Sequence, residues 1–375
     1  MQEMQFYMPV PLHCESGCVL AYSHKLAQLG GSCLIVTGRT GAHASGALDD
    51  VQTALQLQGI EYTVFDEIEE NPLVSTCHRA GRAARELGAE FIVAIGGGSA
   101  LDAGKAVAVY AANSDLGGEE IYDLDWPLPA LPCALVPTTA GTSSELDQTA
   151  VLTIDALGVK KSVGRADMFP ALALVDAKYT YSLPYRATVS TAVDAFSHCA
   201  ESYFAQNADT ISRMFALQGS ALLWPSLTTL AGLSPFIEPE QIDTTLRDDI
   251  SAGCTLAGFS LGRCGTCFPH PLGYLLTEGY AIPHGSATGV FLPAFLQRAR
   301  RYERGLFDRF LEVVGAPSLA ALSATLQKLC PVQVKMDPQQ IEGYRPRLQN
   351  VKNFARTPGG YTDSDALDLL RQLFL

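Results

Sequence analysis

The stretch FIVAIGGGSALDAGKAVAVYAAN, residues 91–113, constrains this chain more than any other. Five apolar, mostly β-forming residues run straight into three glycines, and a helical pattern follows. Strand, tight glycine turn and helix in that order form part of a βαβ unit. The flanking sequence alternates in the same way. CLIVT at 33–37 reads as a strand, LDDVQTALQLQG as a helix, YTVF at 62–65 as a strand and VSTCHRAGRAARELG as a helix. A further strand, CALV at 133–136, enters the loop PTTAGTSSE. Strands that alternate with helices predict a mainly parallel, doubly wound sheet. Ligands of such sheets bind beyond the carboxyl ends of the strands.

The glycine loop suits a phosphate. Glycines at 96–98 let backbone N–H groups approach phosphate oxygens, Ser99 is placed to cap the helix, and the helix N-terminus adds partial positive charge. The loop departs from the common GxGxxG fingerprint, because Leu101 stands in it, and from the Walker loop, because Lys105 has no Ser or Thr after it. The hydroxyls of PTTAGT after the next strand suit a ribose, a phosphate or a carboxamide. An acidic residue after the early strand would hydrogen-bond a ribose 2′-hydroxyl and repel a 2′-phosphate. Here Gly38 and Arg39 follow LIVT, which leaves room for a phosphate with a cation beside it. The expected cofactor is therefore NADP(H) in preference to NAD(H).

The texture changes after Leu183-Pro184. Segments such as ATVSTAVDAFSHCAESYFA, DTTLRDDISAGCTLAGFSLG and DSDALDLLRQLFL have helical spacing, with little β-branched alternation. The expected organisation is an α/β nucleotide-binding domain over 1–183 and an all-helical domain over 184–375, with a cleft between them as the natural active site.

Of the seven histidines, three fall in this second half. Asp194 and His198 stand four apart and share a helix face. His270 precedes Pro271, at a helix start or bend, and His284 sits in a Pro-His-Gly loop. Three imidazoles and a carboxylate suit Fe²⁺, Zn²⁺ or a similar divalent ion, and together they read as one metal site. Ten scattered cysteines without a secretory signal read as buried thiols, including the CxxC of Cys264 and Cys267.

Other classes are disfavoured. The net charge of −13 offers no basic patch for nucleic acid or anionic membrane. The longest apolar runs fall far short of the ~20 residues of a membrane helix. The N-terminus lacks the apolar core of a secretory signal, so a cytoplasmic protein is expected.

Taken in order, these motifs resemble the iron-containing (group III) alcohol dehydrogenase family over nearly the full length. GGGSALDAGKA is similar to its GGGSxxDxAK loop and PTTAGTSSE to its PTTxGTGSE loop. VDAFSHCAES and HPLGYLLTEGYAIPHG are similar to its two metal segments. The stretches PHPLGYLLT…PHG and FARTPGGYT point to its butanol and 1,3-propanediol dehydrogenase-like members. The resemblance implies the architecture shared with dehydroquinate synthase, an α/β nucleotide domain beside a helical metal domain. It implies Fe²⁺, or Zn²⁺ as in some members, held by Asp194, His198, His270 and His284. It implies cofactor contacts from Gly97, Gly98, Ser99, Thr138, Thr139 and a lysine of the pair Lys160-Lys161, with Asp102 supporting the phosphate loop. The activity implied is reversible hydride transfer between NAD(P)(H) and a small primary alcohol or aldehyde, in a homodimer or larger homo-oligomer. A polyol dehydrogenase of the glycerol type, using Zn²⁺ and NAD⁺, is the alternative. Three departures stand out. Tyr274 occupies the place where many relatives carry a further histidine near the nicotinamide, so a proton relay there would fall to Tyr274, which enters the catalytic set, to water or to the ribose hydroxyl. Gly104 replaces an alanine, which should loosen the phosphate helix, and Pro271 replaces another.

Overall fold

The computed structural model describes residue 4 and residues 6–375. Two compact units are interleaved in sequence. One comprises Met8–Pro184 and Glu238–Ser251, the other Met1–Tyr7, Tyr185–Ile237 and Ala252–Leu375. A division at 183/184 leaves residues 238–251 with the helical domain, whereas the fold packs them with the sheet. The buried guanidinium of Arg247 explains this. It donates to the carbonyls of Thr180 and Leu183, both in the sheet unit.

The sheet unit holds eight strands: β1 (Leu12–Cys14), β2 (Ser32–Thr37), β3 (Glu61–Phe65), β4 (Phe91–Gly96), β5 (Cys133–Pro137), β6 (Thr149–Ile154), β7 (Val159–Gly164) and β8 (Leu172–Val175). Six form a parallel sheet in the order β1-β8-β5-β4-β2-β3. The apolar runs alternate between its two faces, as a period of two requires. Leu34, Val36, Ile92, Ala94 and Leu135 pack beneath the helices Val74–Leu87 and Gly98–Ala112. Cys33, Ile35, Val93, Ile95 and Val136 face the helix Ala47–Leu57 on the other side. The chain leaving β2 therefore turns to one face and the chain leaving β4 to the opposite face. These neighbouring strands mark the topological switch point, where doubly wound sheets bind ligands. The remaining strands, β6 and β7, pair as an antiparallel hairpin that the sequence did not signal.

Gly104 has a packing role. A Cβ there would meet the Ala94 Cβ at 2.3 Å, so the glycine lets the phosphate helix lie directly on β4. Ser99 does not cap that helix. The N-cap is Gly97, and the Ser99 hydroxyl instead accepts the Asn71 amide at 3.1 Å, drawing the loop before the Val74 helix toward the glycine turn.

Among its described residues, the other unit contains helices and no strand. The helix Tyr185–Phe204 is buried almost all round and packs against Thr210–Gly232 and His284–Tyr302. Phe196, Tyr203, Phe204, Phe295, Phe307 and Phe310 form its aromatic core. Asp209 starts the helix Thr210–Gly232 with a reciprocal cap to Ser212, a device worth about 1 kcal/mol. No single helix among the described residues is long and apolar enough to cross a membrane.

Candidate metal centre and nucleotide loops

Asp194, His198 and Glu201 occupy positions i, i+4 and i+7 of the helix Tyr185–Phe204, one stripe of a helix buried on every side. His270 enters from the first turn of Pro269–Tyr280 and His284 from the first residue of His284–Tyr302. His284 thus begins a helix rather than lying in a loop, because Pro283 takes the N-cap position with its extended backbone. Gly285 sets the approach of that helix. A Cβ there would lie 1.8 Å from the Ser190 carbonyl and 2.8 Å from the Asp194 Cβ, so only glycine brings His284 against Asp194. The Ser286 amide then donates to the Ser190 hydroxyl at 3.1 Å and fixes the register.

Three imidazoles converge on one carboxylate oxygen. Asp194 Oδ1 lies 3.5 Å from His270 Nε2, 3.7 Å from His284 Nε2 and 3.9 Å from His198 Nε2. The Nε2 atoms of His198 and His270 are 2.8 Å apart, with their rings stacked at 4.6 Å. Asp194, His270 and His284 each offer one donor atom within 4.8 Å of the others. Asp194 Oδ1 is buried and accepts no hydrogen bond. Burial alone would raise the Asp194 carboxyl, but the three imidazoles outweigh it and hold it well below the ordinary carboxylate range. Burial likewise opposes charge on His270, yet Glu201 and Asp194 push that imidazole up to about 10. A buried carboxylate oxygen facing three imidazole nitrogens suits a divalent cation, and the donor set fits iron and zinc equally.

The Tyr274 ring stacks on His284 at 5.1 Å, one helical turn past His270. Cys264 and Cys267 are free, buried thiols, and burial raises both. Phe268 packs into the core against Tyr361 at 4.2 Å.

In the sheet unit the two loops beyond β4 and β5 touch. The Thr138 amide donates to the Gly96 carbonyl at 2.9 Å. A Cβ on Gly97 would stand 3.1 Å from Thr139, and one on Gly98 2.6 Å from Thr142. Asp102 joins the second loop to the phosphate helix, accepting the Ser144 hydroxyl at 2.5 Å and the Val151 amide at 2.8 Å. Lys105 completes the tie. It is buried, pairs with Asp102 and Asp147 at 3.4 and 3.3 Å, and donates to the carbonyls of Ser144 and Thr149. The sequence weighed Lys105 only as a Walker lysine and found it wanting. Apart from Asp102, its partners lie some forty residues downstream, beyond the reach of a local motif. Glu145, in the same loop, is buried, and desolvation pushes its carboxyl up to about 7 against the opposing charge of Lys105. Gly38 follows β2 across the switch point, with Arg39 exposed beside it. Lys160 and Lys161 point to opposite faces of β7. Lys161 lies over the Tyr122 ring at 4.3 Å, and Lys160 is half-buried on the other face.

The fold is that of a class of oxidoreductases, and the chain belongs to the iron-containing alcohol dehydrogenase family. Residues 9–177 match the iron-containing alcohol dehydrogenase model, and residues 188–340 match the C-terminal model of the same family. The probable alcohol dehydrogenase EutG of Salmonella typhimurium is 30% identical over 305 residues, covering 81% of this chain and 75% of that one. An iron-containing alcohol dehydrogenase structure from Thermotoga maritima superposes with a TM-score of 0.88 at 30% identity, over 99% of both chains. A sulfoacetaldehyde reductase from Bifidobacterium kashiwanohense, solved with NAD⁺, gives 0.87 at 25% identity over 100% and 99%. A butanol dehydrogenase and a 1,3-propanediol oxidoreductase, the kinds of member the sequence singled out, share the fold.

Proposed function

We propose that this alcohol dehydrogenase interconverts small primary alcohols and aldehydes with NADP(H), using one Fe²⁺ or Zn²⁺ held by Asp194, His198, His270 and His284. The observation that carries the reading is the convergence of three imidazole Nε2 atoms on the buried, non-hydrogen-bonded Asp194 Oδ1. An ion bound there supplies Lewis acidity to the substrate oxygen, and the nicotinamide supplies or takes the hydride. The protein's own part is orientation. With a divalent ion bound, one carboxylate and three neutral imidazoles would leave net positive charge at the centre. The Tyr274 ring, stacked on His284, holds a hydroxyl one turn from His270 and serves as the proton relay in place of a histidine. Gly97, Gly98, Ser99, Thr138 and Thr139 cradle the cofactor phosphates and ribose, and Asp102 keeps the two loops together. Lys160, on the face of β7 turned away from Tyr122, is the lysine assigned to the cofactor. Gly38 and Arg39 receive the 2′-phosphate. The subunit works as a homodimer or larger homo-oligomer.

The test is anaerobic oxidation of NADPH with butyraldehyde by chelator-stripped protein, with Fe²⁺, Zn²⁺ or no metal added back. Turnover restored only by metal is the expected result and chooses the ion. Full turnover without metal would remove the metal from the reading, and turnover confined to glycerol with NAD⁺ would favour the polyol alternative.

A further inference from the structure

Glu201 is completely buried, and both its oxygens are committed. Oε2 accepts the Cys267 amide at 2.6 Å, and Oε1 lies 2.6 Å from His270 Nδ1. A carboxylate only accepts hydrogen bonds and a peptide N–H only donates, so the proton shared with His270 must stand on Nδ1. A neutral histidine protonated at Nδ1 presents its bare Nε2 lone pair, the form that binds a cation, and here Nε2 faces Asp194 Oδ1 and His198 Nε2. The same carboxylate ties the turn at 265–268, which delivers His270, to the helix that carries Asp194 and His198.

We infer that Glu201 is a positioning residue: it sets the tautomer of His270 and so prepares the ring to bind the metal. This rests on the metal reading above. It distinguishes a carboxylate from its isosteric amide. In Glu201→Gln the single amide oxygen is claimed by the Cys267 N–H, which has no other role than donor. The amide NH₂ then points at His270 Nδ1, the imidazole proton moves to Nε2, and the atom facing the metal site becomes a donor. Carboxylates that hold ligating histidines in this way commonly change metal affinity by about 10–100-fold when replaced.

The experiment is Zn²⁺ affinity by chelator competition for the parent protein and for Glu201→Gln, with NADPH affinity measured alongside as a check on folding. Zn²⁺ binding is expected to weaken by about 10–100-fold in the variant, with NADPH affinity held within about twofold. Equal Zn²⁺ affinity in the two proteins would overturn this role for Glu201 and leave the metal reading intact. Absence of Zn²⁺ binding by the parent would overturn both. A second measurement needs no variant. In the Zn²⁺-loaded parent with ¹⁵N-labelled histidine, the His270 ring is expected to carry its proton on Nδ1. A proton on Nε2 would overturn the inference alone.

Discussion

His198 and His270 bring their Nε2 atoms to 2.8 Å of each other from two different helices, with Asp194 Oδ1 facing both. A shared cation would replace this contact with two dative bonds. His284 adds the third imidazole from a third helix, and Gly285 keeps it there. Replacing His284 with Ala should therefore abolish turnover while NADPH affinity stays within a few-fold, because the nucleotide loops belong to the sheet unit. Steady-state rates with metal in excess, together with isothermal titration of NADPH, check both halves. Strong residual activity would take His284 out of the ligand set.

Nucleotide preference turns on two neighbouring residues after β2. Arg39 is exposed and touches no packed core, so Arg39→Glu should leave the fold intact while repelling a 2′-phosphate. The ratio of kcat/KM for NADPH over NADH should fall by about tenfold or more, as loss of one charge-assisted contact of at least ~1.4 kcal/mol implies. Gly38→Asp should push the ratio the same way. Its Cβ would lie 3.0 Å from the Ile68 carbonyl, so that strand end must yield by a few tenths of an ångström. An unchanged ratio in both variants would place the 2′-phosphate elsewhere.

The contrast between what these residues announced and what they concealed has physical causes. The long strands β2, β4 and β5 were legible because both of their faces are buried and they read as unbroken apolar runs. The three residues of β1 and four of β8 are too short for any periodicity. The hairpin of β6 and β7 hid because one of its strands carries the polar run Val-Lys-Lys-Ser. The donors of the proposed metal centre stand out as residue types, since histidines are scarce in this half of the chain. Their supports were not. Gly285 and Ser190 act across helices that meet only in three dimensions. The start of a helix at His284 was masked because a Pro-His-Gly triplet signals a turn locally.

Tyr274 offers a separable test of the proton relay. Tyr274→Phe keeps the ring on His284 and removes only the hydroxyl. Zn²⁺ and NADPH affinities should be unchanged, while kcat should fall by about 10² if the hydroxyl carries the proton. Tyr274→His should restore much of that loss and move the pH optimum toward the imidazole range. Wild-type kcat in the Phe variant would leave the relay to solvent or the ribose.

Glu145 makes the stability of the sheet unit depend on pH with a definite sign. Burial raises its carboxyl to about 7, so the folded state favours the neutral form more than the unfolded state does. The resulting stability is present below the ordinary glutamate range. It is lost as pH rises from there through about 7, where the folded protein must ionise a buried group. Glu145→Gln removes that ionisation and keeps the shape. The variant should match the parent in chemical denaturation near pH 4 and exceed it at pH 8 by on the order of a few kcal/mol, at about 1.4 kcal/mol per pH unit. A constant difference across this range would mean that Glu145 titrates normally and that its burial is relieved by motion of the loop.

Lys105 should prove the costliest single residue of the nucleotide loops. Its ammonium is fully buried between Asp102 and Asp147 and holds three carbonyl-bearing residues of the second loop, Ser144, Asp147 and Thr149. Lys105→Met fills the same volume but leaves two carboxylates facing each other without a cation. Breaking a buried pair in this way costs about 3–5 kcal/mol. Both carboxylates keep some exposure, which places the expected loss at the lower end. Because the tie links the glycine turn to the threonine loop, NADPH affinity should fall with stability, whereas Zn²⁺ affinity, housed in the helical unit, should hold. Guanidinium denaturation and separate titrations with the two ligands would read this out. A variant as stable as the parent would mean that water reaches Asp102 and Asp147 and that the buried cation is not what holds the loops.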